Sequence, residues 1–448
     1  MRVLVGCLSI IPVLSWLFIN INRKDITAPV NVYTLLYIIN IMIPVIIYST
    51  NSGSAALGNE YLKVAVRNDN VFYLYVLLQV ISYFLVIIGT RIHLFVGIRK
   101  KRKNIDTNLN IQGNTQRGYF IWGCLFWMVG FFAFLMIMRR VGGIYYFFTH
   151  LQFRRSLTSN IDFWSWLLPF INYGCLLIVY SLKGSSKKMG LPLIGLLVVS
   201  GLISGLGGRK ALIILLLEAI LIYHYTVKKI ELKKFIHLKY ILGVILLYVF
   251  FILMSNFRTQ GAFETFLSEP ISFIKQSNGG IFDTLRKESY VPFFIAVLYY
   301  FKSHDFWFGR SFLGLITAPI PSSLYAGKPP VDDGAYLYSI CSGRTEITPP
   351  MPYSSLDGSS YPLETFGSMY GNFGIVGLLL GMLLLGIIIG SAYRYMCNNN
   401  YSFFSIILYT QVIMTFELST LRIFQLFGTI VMLGLITFVV RKVKLKKI

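Results

Sequence analysis

Acidic residues are scarce in this chain, which has 18 Asp and Glu against 41 Lys and Arg in 448 residues. A formal net charge of +23 suits a nucleic-acid-binding protein, but the placement of the charge excludes that class. The basic residues gather in short connections between long apolar runs, at residues 99–103, 183–188, 228–239 and 441–447. Such connections follow the positive-inside rule and face an anionic inner leaflet. The charge therefore predicts membrane lipids as a partner and no nucleic acid.

Cysteines and the common catalytic signatures are also rare or missing. The five cysteines are scattered, which offers neither a disulfide framework nor a zinc site. No P-loop, CxxC, HExxH or GxSxG pattern occurs, so the sequence gives no support for an ATPase, a zinc hydrolase or a serine hydrolase.

Apolar residues fill most of the chain: 55% is hydrophobic and the mean hydropathy is +0.66. Segments of about 16–22 apolar residues recur, close to the length that crosses a ~30 Å hydrocarbon core as a helix. They are continuous rather than alternating, which predicts helices and not barrel strands. We predict an all-α polytopic membrane protein with about eleven transmembrane helices. The predicted spans are roughly 3–21, 30–49, 71–90, 119–138, 163–181, 191–207, 211–226, 240–255, 373–393, 402–418 and 422–440.

Orientation follows from the basic connections, which we place on the inner side. The N-terminus is then outside, because the number of spans is odd. The first apolar segment lacks a small-residue cleavage site and is interpreted as a retained span rather than a signal peptide. The outer segments are about 50–70, 139–162, 208–210, 256–372 and 419–421. The predicted organisation is an N-terminal bundle of about eight spans (1–255), a large outer loop (256–372), and about three C-terminal spans with a basic inner tail (373–448).

The large outer loop holds more than half of the acidic residues, together with eight Lys and Arg. Its acids are Glu264, Glu269, Asp283, Glu288, Asp305, Asp332, Asp333, Glu346, Asp357 and Glu364. We expect a membrane protein that concentrates both charge signs in one mostly unspanned segment to carry out its chemistry there. Two apolar stretches within the loop, 290–301 and 306–320, are short for a span and are predicted to be re-entrant or interfacial helices.

Several arginines lie in predicted outer segments or, in one case, at the outer start of the last predicted span, against the charge bias of membrane proteins. They are Arg139, Arg140, Arg154, Arg155, Arg209, Arg258, Arg310 and Arg422. Guanidinium groups suit bidentate contacts with phosphate oxygens, so one interpretation is a site for a polyanion such as a lipid-linked pyrophosphate. The alternative is anchoring at the interface or an ion pair with a loop acid. For Arg209 the phosphate contact is favoured, because its turn is almost entirely glycine and allows close backbone approach.

Three further residues carry two interpretations each. Glu364 is either a carboxylate that favours the first turn of a helix starting after Pro362, or a general base at the outer surface. Lys328 either presents one cation to a ligand or merely occupies a structured turn. Physical grounds favour the structured turn. Glu218 lies mid-span, and a buried protonated acid joining two helices is slightly favoured over a functional group. Glycines at four-residue spacing indicate close helix packing; these are Gly377 with Gly381 and Gly386 with Gly390.

Six short motifs are spread over most of the chain. They are KDITAP at 24–29, GGI at 142–144, GGRK at 207–210, WFGR at 307–310, IP with GKP at 320–329, and the run from Glu364 to YGNFGIVG at 370–377. Together with about eleven spans and one large outer loop, they resemble the O-antigen polymerase (Wzy) family. One position departs from the family, since relatives often carry arginine after the proline and this chain has Ser322. Lys328 and Arg310 are the substitutes for a phosphate role there.

The resemblance implies a reaction. A growing glycan on undecaprenyl pyrophosphate is transferred to the terminal sugar of a new lipid-linked repeat unit, at the periplasmic face of the bacterial inner membrane. The lipid pyrophosphate is the leaving group, so no nucleotide sugar, metal or other cofactor is required. The donor and acceptor glycans are the expected partners, and a polysaccharide chain-length regulator is a further candidate.

The resemblance also assigns roles and rivals. Glu364 is the expected catalytic base. The expected cations for the diphosphate or the glycan are Arg154, Arg209, Arg258, Arg310 and Lys328. An O-antigen ligase shares the architecture, but it is expected to place a histidine just before the helix that follows the large loop, where this chain has none. A lipid-linked oligosaccharide flippase is expected to have smaller outer loops and more charge within the membrane. An adhesion or scaffold protein explains neither the Gly-Arg turn nor Glu364.

Overall fold

The computed structural model describes residues 1–20, 25, 27–50, 57–95, 112–158, 162–183, 190–206, 208–230, 261–270, 273, 286, 289–321, 324–344 and 346–442. The regular structure among these residues is entirely helical, with no strand. Six helices are long and apolar enough to cross a membrane, as expected of a multi-pass helical membrane protein. They are Pro29–Ser49, Asp69–Ile92, Gln116–Val141, Phe163–Tyr180, Glu364–Asn398 and Thr420–Val440.

These six coincide with six of the predicted spans, and the other five predicted spans have different outcomes. Three form shorter apolar helices, which are Arg2–Phe18, Leu191–Ser204 and Phe403–Thr415. The span predicted at 211–226 is the helix Arg209–Thr226, in which Glu218 is buried. The span predicted at 240–255 lies outside the described residues.

The remaining helices are short, and two of them start with recognisable signals. They are Glu60–Arg67, Ile144–Thr149, Arg154–Leu157, Ala262–Ser268, Val291–Tyr300, Leu313–Thr317 and Gly334–Cys341. The Asn59 side chain caps the first by accepting a hydrogen bond from the Leu62 N–H, and Pro292 stands in the first turn of Val291–Tyr300. The short helix predicted at 290–301 is therefore present. At 306–320 only residues 310–317 are helical, and the positive φ angles of Phe308 and Gly309, 51° and 79°, delay the helix start.

Packing divides the chain into two compact units, of which one comprises Arg102–Gly279, Asn398–Thr410 and Leu433–Ile448. Its main interface joins Gln112–Val141 to Phe170–Tyr180. A Cβ on Gly123 would lie 2.9 Å from the Gly174 carbonyl oxygen, so glycine permits this close backbone approach. In the same unit, the Trp127 Nε1 donates to Ser200 Oγ at 2.9 Å.

The other unit comprises Met1–Lys101, Gly280–Cys397 and Gln411–Met432. Its helix Asp69–Phe95 runs parallel to residues 375–398, because Val86 faces Gly386 and Thr90 faces Gly390. A Cβ on Gly386 would overlap the Val86 carbonyl oxygen, and one on Gly390 would lie 2.6 Å from the Thr90 carbonyl oxygen. The close packing predicted for this glycine pair is confirmed.

The helix Glu364–Asn398 is sharply folded at Gly374, where φ is 64° and ψ is −153°. The Met369 Cγ lies 2.5 Å from the position of a Cβ on Gly381. A continuous helix would separate these two residues by about 18 Å along its axis. Residues 364–373, called the folded-back helix from here on, therefore pack against residues 375–398. Gly381 therefore accommodates Met369 of the folded-back helix and not a residue of another membrane-spanning helix.

Candidate functional site

The folded-back helix carries a line of fully buried polar side chains, Thr365, Ser368 and Asn372. Their spacing of three and four residues places them on one helix face. Burying a polar group is costly unless it is hydrogen-bonded, so the partners of this face are well determined. At one end of it, the Asn372 Nδ2 donates to the Ser311 Oγ at 2.8 Å. The partners at the other end are carboxylic acids.

Glu364 begins the folded-back helix, as predicted, and it is paired with Arg422 in the first turn of Thr420–Lys442. The Arg422 Nε and Nη2 donate to the two carboxylate oxygens at 3.1 and 2.6 Å. The Glu364 and Arg422 side chains are only 9% and 15% exposed. Glu364 also has a φ of 47°, which few non-glycine residues adopt. Backbone outliers of this kind concentrate at functional positions.

Glu417 approaches the same helix end from the turn that precedes Thr420–Lys442. Its Oε2 accepts hydrogen bonds from the Thr365 hydroxyl and, at 3.3 Å, from the Thr365 N–H. The same hydroxyl accepts a hydrogen bond from the Leu418 N–H at 2.8 Å. Burial of the carboxyl raises the pKa of Glu417, and the nearby Glu364 carboxylate raises it further. Because two carboxyl groups face one guanidinium, Glu417 is disposed to hold a proton.

Asp333 is bonded to the next polar residue along the folded-back helix and is 1% exposed. Its Oδ2 accepts a hydrogen bond from the Ser368 Oγ at 2.7 Å, and its N–H donates to the Thr420 Oγ1 at 3.1 Å. Burial raises the pKa of Asp333 to about 7, although these hydrogen bonds oppose the increase. Asp333 therefore gains and loses a proton near neutral pH.

We call Glu364, Arg422, Glu417 and Asp333 the carboxylate cluster. It combines a fixed cation, a carboxylate held by that cation, and two acids that titrate well above their ordinary range. Buried acids shifted by desolvation and by a specific charge partner are typical of functional sites. Among the described residues, no group of His, Cys, Asp and Glu is arranged to hold a metal ion. The cluster is thus suited to proton transfer and to binding an anion.

Two predicted cations lie in the same unit as the cluster, at other places. The Lys328 Nζ donates to the Ala318 and Ile320 carbonyl oxygens at 3.0 and 2.7 Å, so the lysine closes its own loop. An ammonium has three N–H donors, which leaves one for a ligand. Arg310 is exposed just after Gly309, and within the described part of the chain its guanidinium makes no hydrogen bond or ion pair.

The other predicted cations belong to the second unit. The Arg154 Nη1 lies 2.9 Å from the position of a Cβ on Gly208, the residue before Arg209. The structure thus brings Arg154 to the glycine turn at 205–208, which ends where the helix Arg209–Thr226 begins. Arg258 lies outside the described residues. Arg154 therefore lies beside the residue that precedes Arg209 in the chain, while the side chain of Arg209 itself lies outside the part that the structure describes.

Glu417, Arg422 and Asp333 are not among the catalytic or binding residues predicted from the sequence. Glu417 falls inside the span predicted at 402–418, but the helix there ends at Thr415. A usable signal was present: one acid and one arginine stand on either side of a very short turn between two apolar helices. The pairing of this turn with Glu364 depends on the fold-back at Gly374, which no local pattern indicates.

Comparison with known proteins assigns no family to this geometry. No protein-family model matches the chain, and no curated protein or solved structure matches it. Function is therefore inferred from the chemistry of the carboxylate cluster and from the short motifs.

Proposed function

We propose that this chain is a membrane glycosyltransferase of the O-antigen polymerase type. It joins undecaprenyl-pyrophosphate-linked repeat units into polysaccharide at the periplasmic face of the bacterial inner membrane. The observation that carries the proposal is the carboxylate cluster. In it Glu364, the base expected from the resemblance, is buried and held by Arg422, Glu417 lies nearby, and Asp333 binds the same folded-back helix one turn further along, at Ser368. Ionisable groups at such positions in membrane proteins are rare and usually functional.

The proposed reaction needs a base for the acceptor hydroxyl and cations for the leaving diphosphate. Glu364 takes the hydroxyl proton while the hydroxyl oxygen attacks C1 of the donor sugar. The bond between C1 and the diphosphate oxygen breaks, and the lipid diphosphate leaves with the electron pair. The cations proposed to bind the diphosphate or the glycan are Arg154, Arg209, Arg258, Arg310 and Lys328. No nucleotide sugar takes part.

The proposed topology is the eleven-span arrangement with the large periplasmic loop, and three contacts within the unit that contains the cluster support it. On the proposed outer side, the Arg2 Nη1 lies 2.9 Å from the Asp69 Oδ1, and the Asn59 Nδ2 donates to the Cys341 carbonyl oxygen at 2.9 Å. On the proposed inner side, the Tyr393 hydroxyl donates to Asp25 at 2.6 Å.

Helix directions support the same topology. The helix Asp69–Phe95 and residues 375–398 run parallel, as two spans that both enter from outside must. Gln112–Val141 and Phe170–Tyr180 run antiparallel, since Gly123 lies beside Gly174 and Gly130 beside Ile171, as consecutive spans must.

A lipid-linked oligosaccharide flippase is the second candidate, and the acids of the cluster favour it. Acids with a pKa near 7, such as Asp333, are suited to proton-coupled transport. An O-antigen ligase is the third candidate. Its expected histidine is missing here, because residues 346–364 contain none.

Deletion of the gene separates the three candidates. A polymerase mutant should show a polysaccharide ladder reduced to a single repeat unit on the lipid core. A ligase mutant should instead accumulate lipid-linked polymer with none on the core, and a flippase mutant should accumulate single repeat units on the inner leaflet. Complementation with Glu364→Gln should not restore the ladder, because this change removes basicity and keeps the shape. A normal ladder from this variant would exclude Glu364 as the base.

Labelling of single cysteines tests the topology. In a cysteine-free protein, a cysteine at the exposed Ser354 should react with a membrane-impermeant maleimide added to cells with a permeable outer membrane. Asn399 is also exposed, but a cysteine at this position should not react, because it belongs to a proposed inner connection. The reverse result would invert the topology and remove the cluster from the periplasmic side.

A further inference from the structure

The Glu364–Arg422 pair has a geometry that a phosphate can reproduce. Two N–H groups of one guanidinium edge hold the two oxygens of one carboxylate, at 3.1 and 2.6 Å. Arginine binds two oxygens of a phosphate or diphosphate with the same fork. The third nitrogen of the guanidinium, Nη1, donates to the Gln425 Oε1 at 3.2 Å, which fixes the plane of the fork. Arg422 is thus a preformed anion site whose present occupant is Glu364.

The surroundings of Glu364 favour its release when a stronger anion arrives. Its φ of 47° is unfavourable for a residue with a Cβ, so the backbone is held in this conformation by the contacts of the side chain and its neighbours. Glu417 brings a second carboxyl group to the same helix end, where it accepts hydrogen bonds from Thr365, and the Glu364 carboxylate raises the pKa of Glu417. Arg422 keeps 15% of its side chain exposed, which leaves an approach for a ligand.

We propose that the diphosphate of the lipid-linked donor exchanges with Glu364 for Arg422, so that the base becomes free only when the donor is bound. This inference rests on the proposed glycosyl transfer and adds to it the order of events and a further substrate-binding residue. In the resting state two N–H groups of Arg422 bind both oxygens of the Glu364 carboxylate, which is thereby engaged by the guanidinium rather than by an acceptor hydroxyl. The exchange would keep the enzyme from activating an acceptor hydroxyl, or water, in the absence of donor.

The cycle conserves atoms and charge. The donor diphosphate binds Arg422 and Glu364 leaves as a free carboxylate. The acceptor O–H proton moves to Glu364 while the new O–C1 bond forms and the C1–O(diphosphate) bond breaks. The diphosphate, held by Arg422, carries away the electron pair. Glu364 then gives its proton to the departing diphosphate or to water, and the ion pair forms again.

A structural ion pair with no role in ligand binding is the competing explanation, and the same unit offers a matched control. The Arg344 Nη2 lies 3.1 Å from the Asp357 Oδ1, with 42% and 31% of the side chains exposed. Both pairs join an arginine to an acid in or beside the proposed outer loop. Removing the Asp357 carboxylate therefore shows how much an arginine that has lost its acid contributes by itself to binding of a diphosphate.

The experiment measures binding of farnesyl diphosphate to the purified full-length protein in detergent by isothermal titration calorimetry. Glu364→Gln removes the competing carboxylate and should bind farnesyl diphosphate about tenfold more tightly than the unmodified chain. Arg422→Gln should bind at least about tenfold more weakly. Arg422→Lys keeps the charge but loses the fork, so it should also bind more weakly. The control Asp357→Asn should bind as the unmodified chain does.

Unchanged or weaker binding by a folded Glu364→Gln variant would overturn the exchange, and so would equal tightening by Asp357→Asn. If Glu364→Gln does not fold, as judged by circular dichroism, equal binding by Arg422→Lys and the unmodified chain would overturn it instead. Inorganic pyrophosphate and phosphatidylglycerol serve as further ligands. Equal competition by phosphatidylglycerol would identify a lipid headgroup site and reject the donor. These binding results are independent of the polysaccharide ladder, so either proposal can fail while the other stands.

Discussion

The folded-back helix and the glycine turn at 205–208 present charged groups in opposite ways. At the folded-back helix, Glu364 and Arg422 are almost completely buried and bonded to each other. At the glycine turn, the Arg154 guanidinium lies over the backbone at Gly208 and its side chain is half-buried. Charges of the first kind must be matched, so they are tied to the stability of their unit. Charges of the second kind can be altered at small cost to stability, so a loss of activity there points to ligand binding.

Breaking the buried ion pair should have the largest effect on stability. Arg422→Met leaves the Glu364 carboxylate buried without a cation and should destabilise the protein by about 3–5 kcal/mol. Glu364→Gln should cost less, because the arginine retains Gln425 and a neutral acceptor. A double-mutant cycle on thermal unfolding in detergent measures the coupling between the two residues. A coupling energy near zero would show that the pair is not part of the stabilising structure.

The protonated acids should make the stability depend on pH. Because burial raises the pKa of Asp333 from 3.8 to about 7, the folded state binds its proton more tightly than the unfolded state does. Stability should therefore decrease as pH rises from about 4 to about 7, by about 1.4 kcal/mol per pH unit over most of that range, and level off above the folded pKa. Glu417, whose pKa is also raised, contributes with the same sign.

The control for this pH dependence is Asp333→Asn, which resembles the protonated acid. The variant should lose the part of the pH dependence that is due to Asp333 and keep the part due to Glu417, and thermal unfolding at several pH values measures the difference. A variant with an undiminished pH dependence would show that Asp333 is not the titrating group.

Substitution by alanine should lower the stability at a glycine that is packed against another helix and should not lower it at a glycine with free space around it. Gly386→Ala forces a Cβ into the Val86 carbonyl oxygen and should cost about 1–3 kcal/mol. Gly428, in the helix Thr420–Lys442, has no atom within 4 Å of its Cβ position among those described. Gly428→Ala should therefore be neutral or stabilising, by up to about 1 kcal/mol, since alanine favours helix. Equal effects of the two changes in thermal unfolding would contradict the parallel packing.

The glycine turn should show the smallest effect on stability and a clear effect on function. A Cβ on Gly208 would lie 2.9 Å from the Arg154 Nη1, so Gly208→Ala should displace this guanidinium. We expect polymerisation to decrease about tenfold or more, since small misplacements of binding groups are costly to catalysis. The unfolding temperature should change little. Gly195→Ala, with nothing near its Cβ position among the atoms described, is the control for both measurements.

A full-length ladder in the Gly208→Ala strain would remove Arg154 from the proposed binding residues. An equal loss of polymer in the Gly195→Ala strain would show that the helices Leu191–Ser204 and Arg209–Thr226 tolerate no added methyl group. The loss of polymer in the Gly208→Ala strain would then be explained by packing and not by the position of Arg154.

Local patterns predicted several features that the structure contains. The helix start at Glu364 follows from a proline two residues earlier and an acid in the first turn. The pairing of Gly386 and Gly390 with another helix follows from their four-residue spacing on an apolar stretch. The short helix Val291–Tyr300 follows from an apolar run that contains a proline near its start. Each of these depends on residues close together in the chain.

Other features were not predictable in this way. Gly377 and Gly381 show the same spacing as the other glycine pair, but they accommodate Phe373 and Met369 of the folded-back helix. Glu417 looked like part of a span, although its helix ends at Thr415 and its carboxyl bonds to Thr365. These contacts join segments far apart in the chain, so the local sequence contains no sign of them.

The sequence by itself determined that the chain forms apolar helices of membrane-spanning length, because continuous apolar runs have no other way to satisfy the backbone in lipid. It also determined which residue types are available for chemistry and that the acids are concentrated in one segment. Only the tertiary structure decided which of those acids meet. The reversal at Gly374 carries Glu364, Thr365 and Ser368 back into the interior, where low polarity requires a partner for every charge and hydrogen-bonding group. Arg422 meets that requirement for Glu364, Glu417 meets it for Thr365 and Asp333 meets it for Ser368, and together these residues form the carboxylate cluster.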